Sequence, residues 1–324
     1  MLYSMPAMIP GRVSVLIPSR NERYLPATAR DLLAKAGGDV EIIVVLDGYW
    51  PDPLPPTDSR VTLIHRPTSL GMRHGINSAA SLARGEFLLK SDAHCLFGEG
   101  YDIILKADCG PADVIVPRRY SLDGDAWAIK PDRAAIDYHF LSWAYRNPLE
   151  PGLHGEPWRE RTKERASTLI DEEMSSQGSC WFMKRTHFWD HLGGQSEIGY
   201  ERFIQEFQEV GLKTWLGPWG GRVLTNKNTW YAHWHKGKSV GRGYHISTAE
   251  MVRGRLYSLD HWMCNRWAER GHDLDWLIDR FWPVPTWPEN WREQWAKSGA
   301  DWIADERRRR ADILTQARPQ TVIA

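Results

Sequence analysis

Arg84-Gly85-Glu86-Phe87-Leu88-Leu89-Lys90-Ser91-Asp92-Ala93-His94-Cys95 is the stretch whose reading decides the fold. Phe87-Leu88-Leu89 predicts a short buried strand, and Gly85 ends the small-residue segment before it. Asp92 and His94 follow at once, and two positions apart in extended chain their side chains project to the same side. A carboxylate and an imidazole then stand together at the C-terminal end of a strand, where open α/β sheets bind ligands. Beside an anionic substrate such a pair suits a divalent cation such as manganese. Asp-x-His taken alone is better explained as a loop whose Asp caps the next turn, so the surroundings have to decide.

Outward from this stretch the chain alternates strand and helix patterns. Val13 to Pro18 predicts a strand running into a loop, and Leu25 to Ala36 a helix stopped by Gly37-Gly38. Glu41 to Asp47 predicts a strand apolar on both faces, Val61 to Ile64 a third, and Gly71 to Ala83 a small-residue helix. Asp113 to Pro117 adds another strand. This repetition predicts an α/β fold, Rossmann-like, with a mostly parallel sheet, flanking helices and right-handed crossovers. Ser121 to Glu173 is irregular, which inside an enzyme reads as a functional loop rather than a linker. Ser179 to Met183 predicts a strand, Thr186 to Leu192 a short helix, and Tyr200 to Val210 a helix closed by Gly211. Lys213 to Leu216 and Thr229 to His235 read as strands, and helices follow Thr248. The expected division is a catalytic domain over residues 1–245, with a nucleotide-binding half (1–120) and an acceptor half (121–245), then a helical C-terminal extension over 246–324.

With 324 residues the chain can bury a large core, and 42% hydrophobic with 25% charged residues is a globular composition. A formal net charge of zero provides no global attraction for nucleic acid or an anionic membrane. Cys95, Cys109, Cys180 and Cys264 show no paired spacing, no apolar run reaches bilayer length, and no signal-peptide pattern precedes the first strand. A cytoplasmic protein without a membrane partner is expected. The 18 tryptophans, most of them after Trp127, favour a sugar- or base-handling surface, although packing accounts for most of them.

Pro18, Arg20, Glu22, Asp47, Asp92 and His94 all fall just at or after strand ends and so converge on one edge of the sheet. They suit a ligand with a base, a ribose and a diphosphate, with Arg73 at a helix start facing the same crevice. A cation bridging the diphosphate would stabilise it as a leaving group, as in glycosyl transfer. Asp92 and His94 alone leave a cation under-coordinated, and His233 or His235, both on one face of a late strand, would supply a third ligand. Lys236, Lys238 and Arg242 add cations on a loop suited to phosphates, whereas Arg307 to Arg310 read as a solvated helix end. The first strand is followed by Pro18-Ser19-Arg20-Asn21-Glu22, not G-x-G-x-x-G, which disfavours a dinucleotide oxidoreductase. P-loop and H-E-x-x-H motifs are also absent.

Val13 to Glu22 and Glu41 to Asp47 resemble the opening strands of family 2 glycosyltransferases with the GT-A fold. Gly71-Met72-Arg73 and Arg84 to Cys95 resemble the polypeptide N-acetylgalactosaminyltransferases, whose metal motif is likewise Asp-x-His before Cys. The resemblance implies a UDP-sugar donor and Mn2+, or another divalent cation such as Mg2+, held by Asp92, His94 and a late histidine. Pro18, Arg20, Glu22, Asp47, Arg73, Ser91 and Asp92 would then line the nucleotide sugar, with Trp181 stacking on sugar or acceptor. The helix that usually carries a Glu-Asp base motif here reads Gly199-Tyr200-Glu201-Arg202-Phe203, leaving Glu201 as the acceptor-side carboxylate alongside Asp92. Phe281 to Pro288 looks like bacteriophage-encoded transferases, some of which glycosylate hydroxymethylated pyrimidines in DNA. A DNA acceptor is therefore the first expectation, with a peptide Ser/Thr or saccharide hydroxyl second. A non-catalytic nucleotide-sugar or DNA-binding module is the competing class.

Overall fold

The computed structural model describes residues 5–145, 151–235, 244 and 246–315. Val13 to Ile17 are apolar apart from Ser14 and wholly buried, which places β1 (Ile9–Ser19) in the middle of a sheet. Strands β2 (Val40–Asp47) and β4 (Gly85–Ser91) flank it, both parallel, and β3 (Val61–Arg66) forms the edge beyond β2. The crossovers are α1 (Leu25–Lys35), opened by a proline in its first turn, and α2 (Met72–Leu82). Beyond β4 the strand β11 (Cys180–Lys184) runs antiparallel, followed by the parallel pair β6 (Val114–Asp123) and β12 (Val223–His233), with β10 (Ile170–Glu172) at the far edge. The order is β10-β12-β6-β11-β4-β1-β2-β3, the mostly parallel α/β sheet that the sequence pattern predicts. One short strand positions the site: β5 (Cys95–Phe97) pairs with the end of β12, setting His233 opposite Cys95.

Two elements differ from expectation. Helix α5 covers Glu206–Leu216, running straight through Gly211 and replacing the strand predicted over Lys213 to Leu216. A glycine costs a helix interior about 1 kcal/mol, and burial of Phe207, Val210, Leu212, Trp215 and Leu216 outweighs it. The irregular stretch 121–173 also carries regular pieces, among them a hairpin of β8 (His139–Leu141) with β9 (Gly155–Pro157) and the short helix α4 (Arg159–Glu164).

The helical C-terminal region contains α6 (Thr248–Met263), started by a Ser247/Glu250 capping box, then α7 (Leu274–Arg280), α8 (Trp291–Arg309) and α9 (Ala311–Leu314). Trp262, Trp267, Trp287 and Trp291 are buried in one apolar cluster with Leu16, Ile76 and Trp181, so these tryptophans serve packing. Among the described residues no helix is long and apolar enough to cross a membrane.

Candidate active site

A cleft of about 950 Å³ opens over the C-terminal ends of β1, β4 and β12. Asp92-Ala93-His94 makes the turn between β4 and β5, and Trp234 N–H donates to the His94 carbonyl at 3.1 Å, locking β12 beside that turn. The result is a convergence of Asp92 Oδ2, His94 Nε2 and His233 Nε2. Nε2 of His94 lies 3.0 Å from Nε2 of His233, which lies 3.2 Å from Asp92 Oδ2; the third side, His94 to Asp92, is 3.9 Å. Among the described residues this is the one group of three whose ligand atoms all lie within 4.8 Å of one another. Glu22 accepts from His94 Nδ1 at 2.9 Å, which directs the lone pair of Nε2 into the site. Burial pushes the His233 imidazole down to about 3, so it stays neutral, as a ligand must, and its buried Nδ1 has no hydrogen-bond partner.

His235 lines the same cleft but is tied elsewhere: its Nε2 accepts from Arg119 Nη1 at 3.3 Å. Of the two, His233 is the one that converges with Asp92 and His94. Arg119 also holds Gln177, another cleft residue, and is backed by His139, which donates to Glu173 at 2.9 Å. Behind Asp92 stands Lys90, a lysine wholly buried in β4 that donates to Asp92 Oδ1 at 2.5 Å and to the Gly178 carbonyl at 2.6 Å. Burial works to raise the Asp92 pKa, but Lys90 and the hydrogen bond from His233 outweigh it and hold the carboxyl well below its usual range.

Pro18, Arg20 and Glu22 line the cleft. Asp47 sits in a smaller adjoining cavity, its carboxylate already accepting from Ser69 Oγ (2.6 Å), Leu70 N (2.9 Å) and Gly71 N (2.8 Å). It holds the loop before α2 rather than offering a free oxygen.

Four expected contacts are corrected. Arg73 is buried away from the cleft, donating to Gln195, Glu209 and the Ile204 carbonyl while stacked on Tyr200. Ser91 is fully buried and donates to the Asp92 carbonyl at 2.8 Å. Trp181 has no exposed surface, so it stacks on no ligand; its indole N–H donates to Glu206 Oε1 at 2.7 Å. Glu201, at a left-handed backbone position (φ 57°), does not line the cleft; its largely buried side chain pairs with Arg253 at 3.0 Å. Besides Glu22 and Asp92, the cleft is lined by the carboxylate of Glu206 at the start of α5, whose pKa burial raises despite Lys90 and Trp181. Lys236, Lys238 and Arg242 lie outside the described residues. Each arginine from 307 to 310 has an acidic partner, respectively Asp260, Asp305, Glu306 and Glu306, so the run is no bare cationic patch.

Residues 14–192, just over half of the 324-residue chain, match glycosyl transferase family 2. The chain belongs to that family. This family 2 glycosyltransferase is similar in structure to GalNAc-T7, solved with UDP, GalNAc and Mn2+, at 16% identity and a TM-score of 0.61 over 91% of this chain. It is also similar to S. aureus TarS, at 14% identity and a TM-score of 0.50 over 94% of this chain. The chain spans 57% of the GalNAc-T7 chain and 50% of TarS. Both likenesses, low in identity, establish the GT-A fold. No curated protein sequence matches the chain.

Proposed function

We propose that the protein transfers a sugar from a UDP-type nucleotide sugar to an acceptor hydroxyl, aided by a divalent cation. The observation that carries this is the convergence of Asp92 Oδ2, His94 Nε2 and His233 Nε2 on the cleft at the strand ends. The donor set fits a metal: one carboxylate oxygen, two imidazole nitrogens, and Glu22 fixing one ring from behind. Two nitrogens favour a first-row ion such as Mn2+ over Mg2+. Bound by Asp92, His94 and His233, such an ion would neutralise the diphosphate that departs with the nucleotide. Arg20 and Pro18 would flank the nucleotide. Glu206, raised by burial and facing the cleft, is positioned to take a proton from the acceptor hydroxyl or to bind the sugar hydroxyls. Support for the donor comes from family membership and from the GalNAc-T7 likeness, whose structure holds UDP and Mn2+.

For the acceptor, the proposal of a 5-hydroxymethylated pyrimidine in DNA rests on the resemblance of Phe281 to Pro288 alone, and the paired arginines lend it nothing. A peptide or saccharide hydroxyl is the alternative. Labelled UDP-sugars incubated with hydroxymethylated DNA, plain DNA, peptides and oligosaccharides, with Mn2+ or with a chelator, test the whole reading. Metal-dependent donor turnover lost in Asp92→Ala is expected. Donor turnover at the wild-type rate in Asp92→Ala would sink the metal assignment, and no turnover of any UDP-sugar by wild type would favour a non-catalytic module. Label confined to peptide or saccharide would end the DNA proposal.

A further inference from the structure

Resting on the metal reading above, we propose that Lys90 is a positioning residue that keeps the Asp92–His94–His233 site weak for a free cation, so that cation and nucleotide diphosphate are taken up together. Lys90 interrupts the apolar run of β4 and its side chain has no exposed surface. One of its ammonium hydrogens goes to Asp92 Oδ1 at 2.5 Å and another to the Gly178 carbonyl at 2.6 Å. The Asp92 carboxylate is thereby divided. One oxygen belongs to the ammonium, and Oδ2 alone faces His233 and His94, at 3.2 and 3.9 Å.

An incoming dication must share this carboxylate with a fixed positive charge that it cannot displace. Lys90 is tethered on two sides, to Asp92 Oδ1 and to the Gly178 carbonyl. The Asp92 charge is already matched by the Lys90 ammonium, and the other two ligand atoms are imidazole nitrogens. In an interior where the effective dielectric constant is about 20 rather than that of water, repulsion across one carboxylate weighs heavily on affinity. A diphosphate brings negative charge that is not already shared with Lys90, whereas Asp92, the one anionic ligand of the protein, is. The cost is returned in geometry, because Asp92 is held as a one-oxygen ligand and joined through Lys90 to the Gly178 turn over which Glu206 lies.

Mn2+ binding followed by electron paramagnetic resonance, on wild type, Lys90→Met and Lys90→Gln, with and without UDP, tests this, with folding checked by thermal melting. Wild type is expected to bind Mn2+ at least tenfold more tightly with saturating UDP than without it. Both variants are expected to bind free Mn2+ at least tenfold more tightly than wild type, with the gain from UDP reduced to match. A lysine that only supports the fold would give the opposite sign. Folded variants binding free Mn2+ no more tightly than wild type would overturn the proposal while leaving the metal site standing. If neither variant folds, the wild type decides, since failure of UDP to strengthen Mn2+ binding overturns it. Absence of any Mn2+ binding by wild type, with or without UDP, would remove the metal reading itself and this inference with it.

Discussion

Glu206 rests one carboxylate oxygen on the Trp181 indole and lays the other over Gly178, where any Cβ would collide with it. Glu201, five residues earlier, spends its charge on Arg253. Opposite phenotypes follow. Glu206→Gln, close to isosteric, is expected to lower kcat by about 10²–10⁴ with little change in melting temperature. Glu201→Gln should leave kcat near wild type and cost about 1–3 kcal/mol of stability, read by denaturant unfolding, because the largely buried ion pair with Arg253 loses its negative charge. Glu22→Gln removes the carboxylate that orients His94 and should weaken Mn2+ about 10–100-fold in a direct binding titration. Much of this is legible in the chain and some is not. Asp92 and His94 are visible because two-residue spacing after an apolar run fixes their direction. His233 is visible only as one of a pair, since His235 shares its strand parity, and it takes Arg119, brought from β6, to separate them. Lys90 leaves a faint signal, a lysine inside a buried run. Glu206 leaves none, because nothing local shows that the helix starts after the left-handed Gln205.

At the scale of elements, α6 braces the segment that leads into Glu206. Gly254 packs so closely that a Cβ would stand 2.6 Å from the Tyr200 carbonyl, while Glu250 receives Arg202 at 2.8 Å. Gly254→Ala is expected to cost about 1–3 kcal/mol and to lower kcat, as α6 and the 200–205 segment are forced apart; urea unfolding and steady-state kinetics check both. On the other side of the sheet, Asp31 of α1 accepts from Phe97 N of β5 at 2.7 Å, and burial pushes its carboxyl up to about 6 from 3.8. A carboxyl whose pKa rises on folding gives its full support below about pH 4 and loses it as pH climbs through about 6. Asp31→Asn keeps an acceptor without the charge, so its melting temperature relative to wild type should rise between pH 4.5 and pH 8. The parallel strands and crossovers are readable because each is a short apolar run bounded by breakers. Helix α5 is misread at Gly211, where tertiary burial overrides a local stop signal.

For the whole molecule, the C-terminal helices and the sheet share one apolar cluster: Trp287 meets Trp143 at a tilt and Trp291 meets it edge-on, and the Trp287 indole N–H donates to the Leu141 carbonyl at 2.6 Å. A division at residue 245 would cut through packed core. A chain truncated after residue 245 is therefore expected to aggregate or to lose its cooperative thermal transition, whereas the full chain should melt in a single step, as scanning calorimetry would show. The pairing of β5 with β12 has a further consequence in time. Asp92 and His94 stand 141 and 139 residues ahead of His233 in the chain. At synthesis rates of about 5–20 residues per second, a nascent chain carries two of the three proposed ligands for on the order of ten seconds before the third exists. On the metal reading proposed above, an ion would therefore join a finished sheet, and acquiring it would close the protein's maturation rather than guide it.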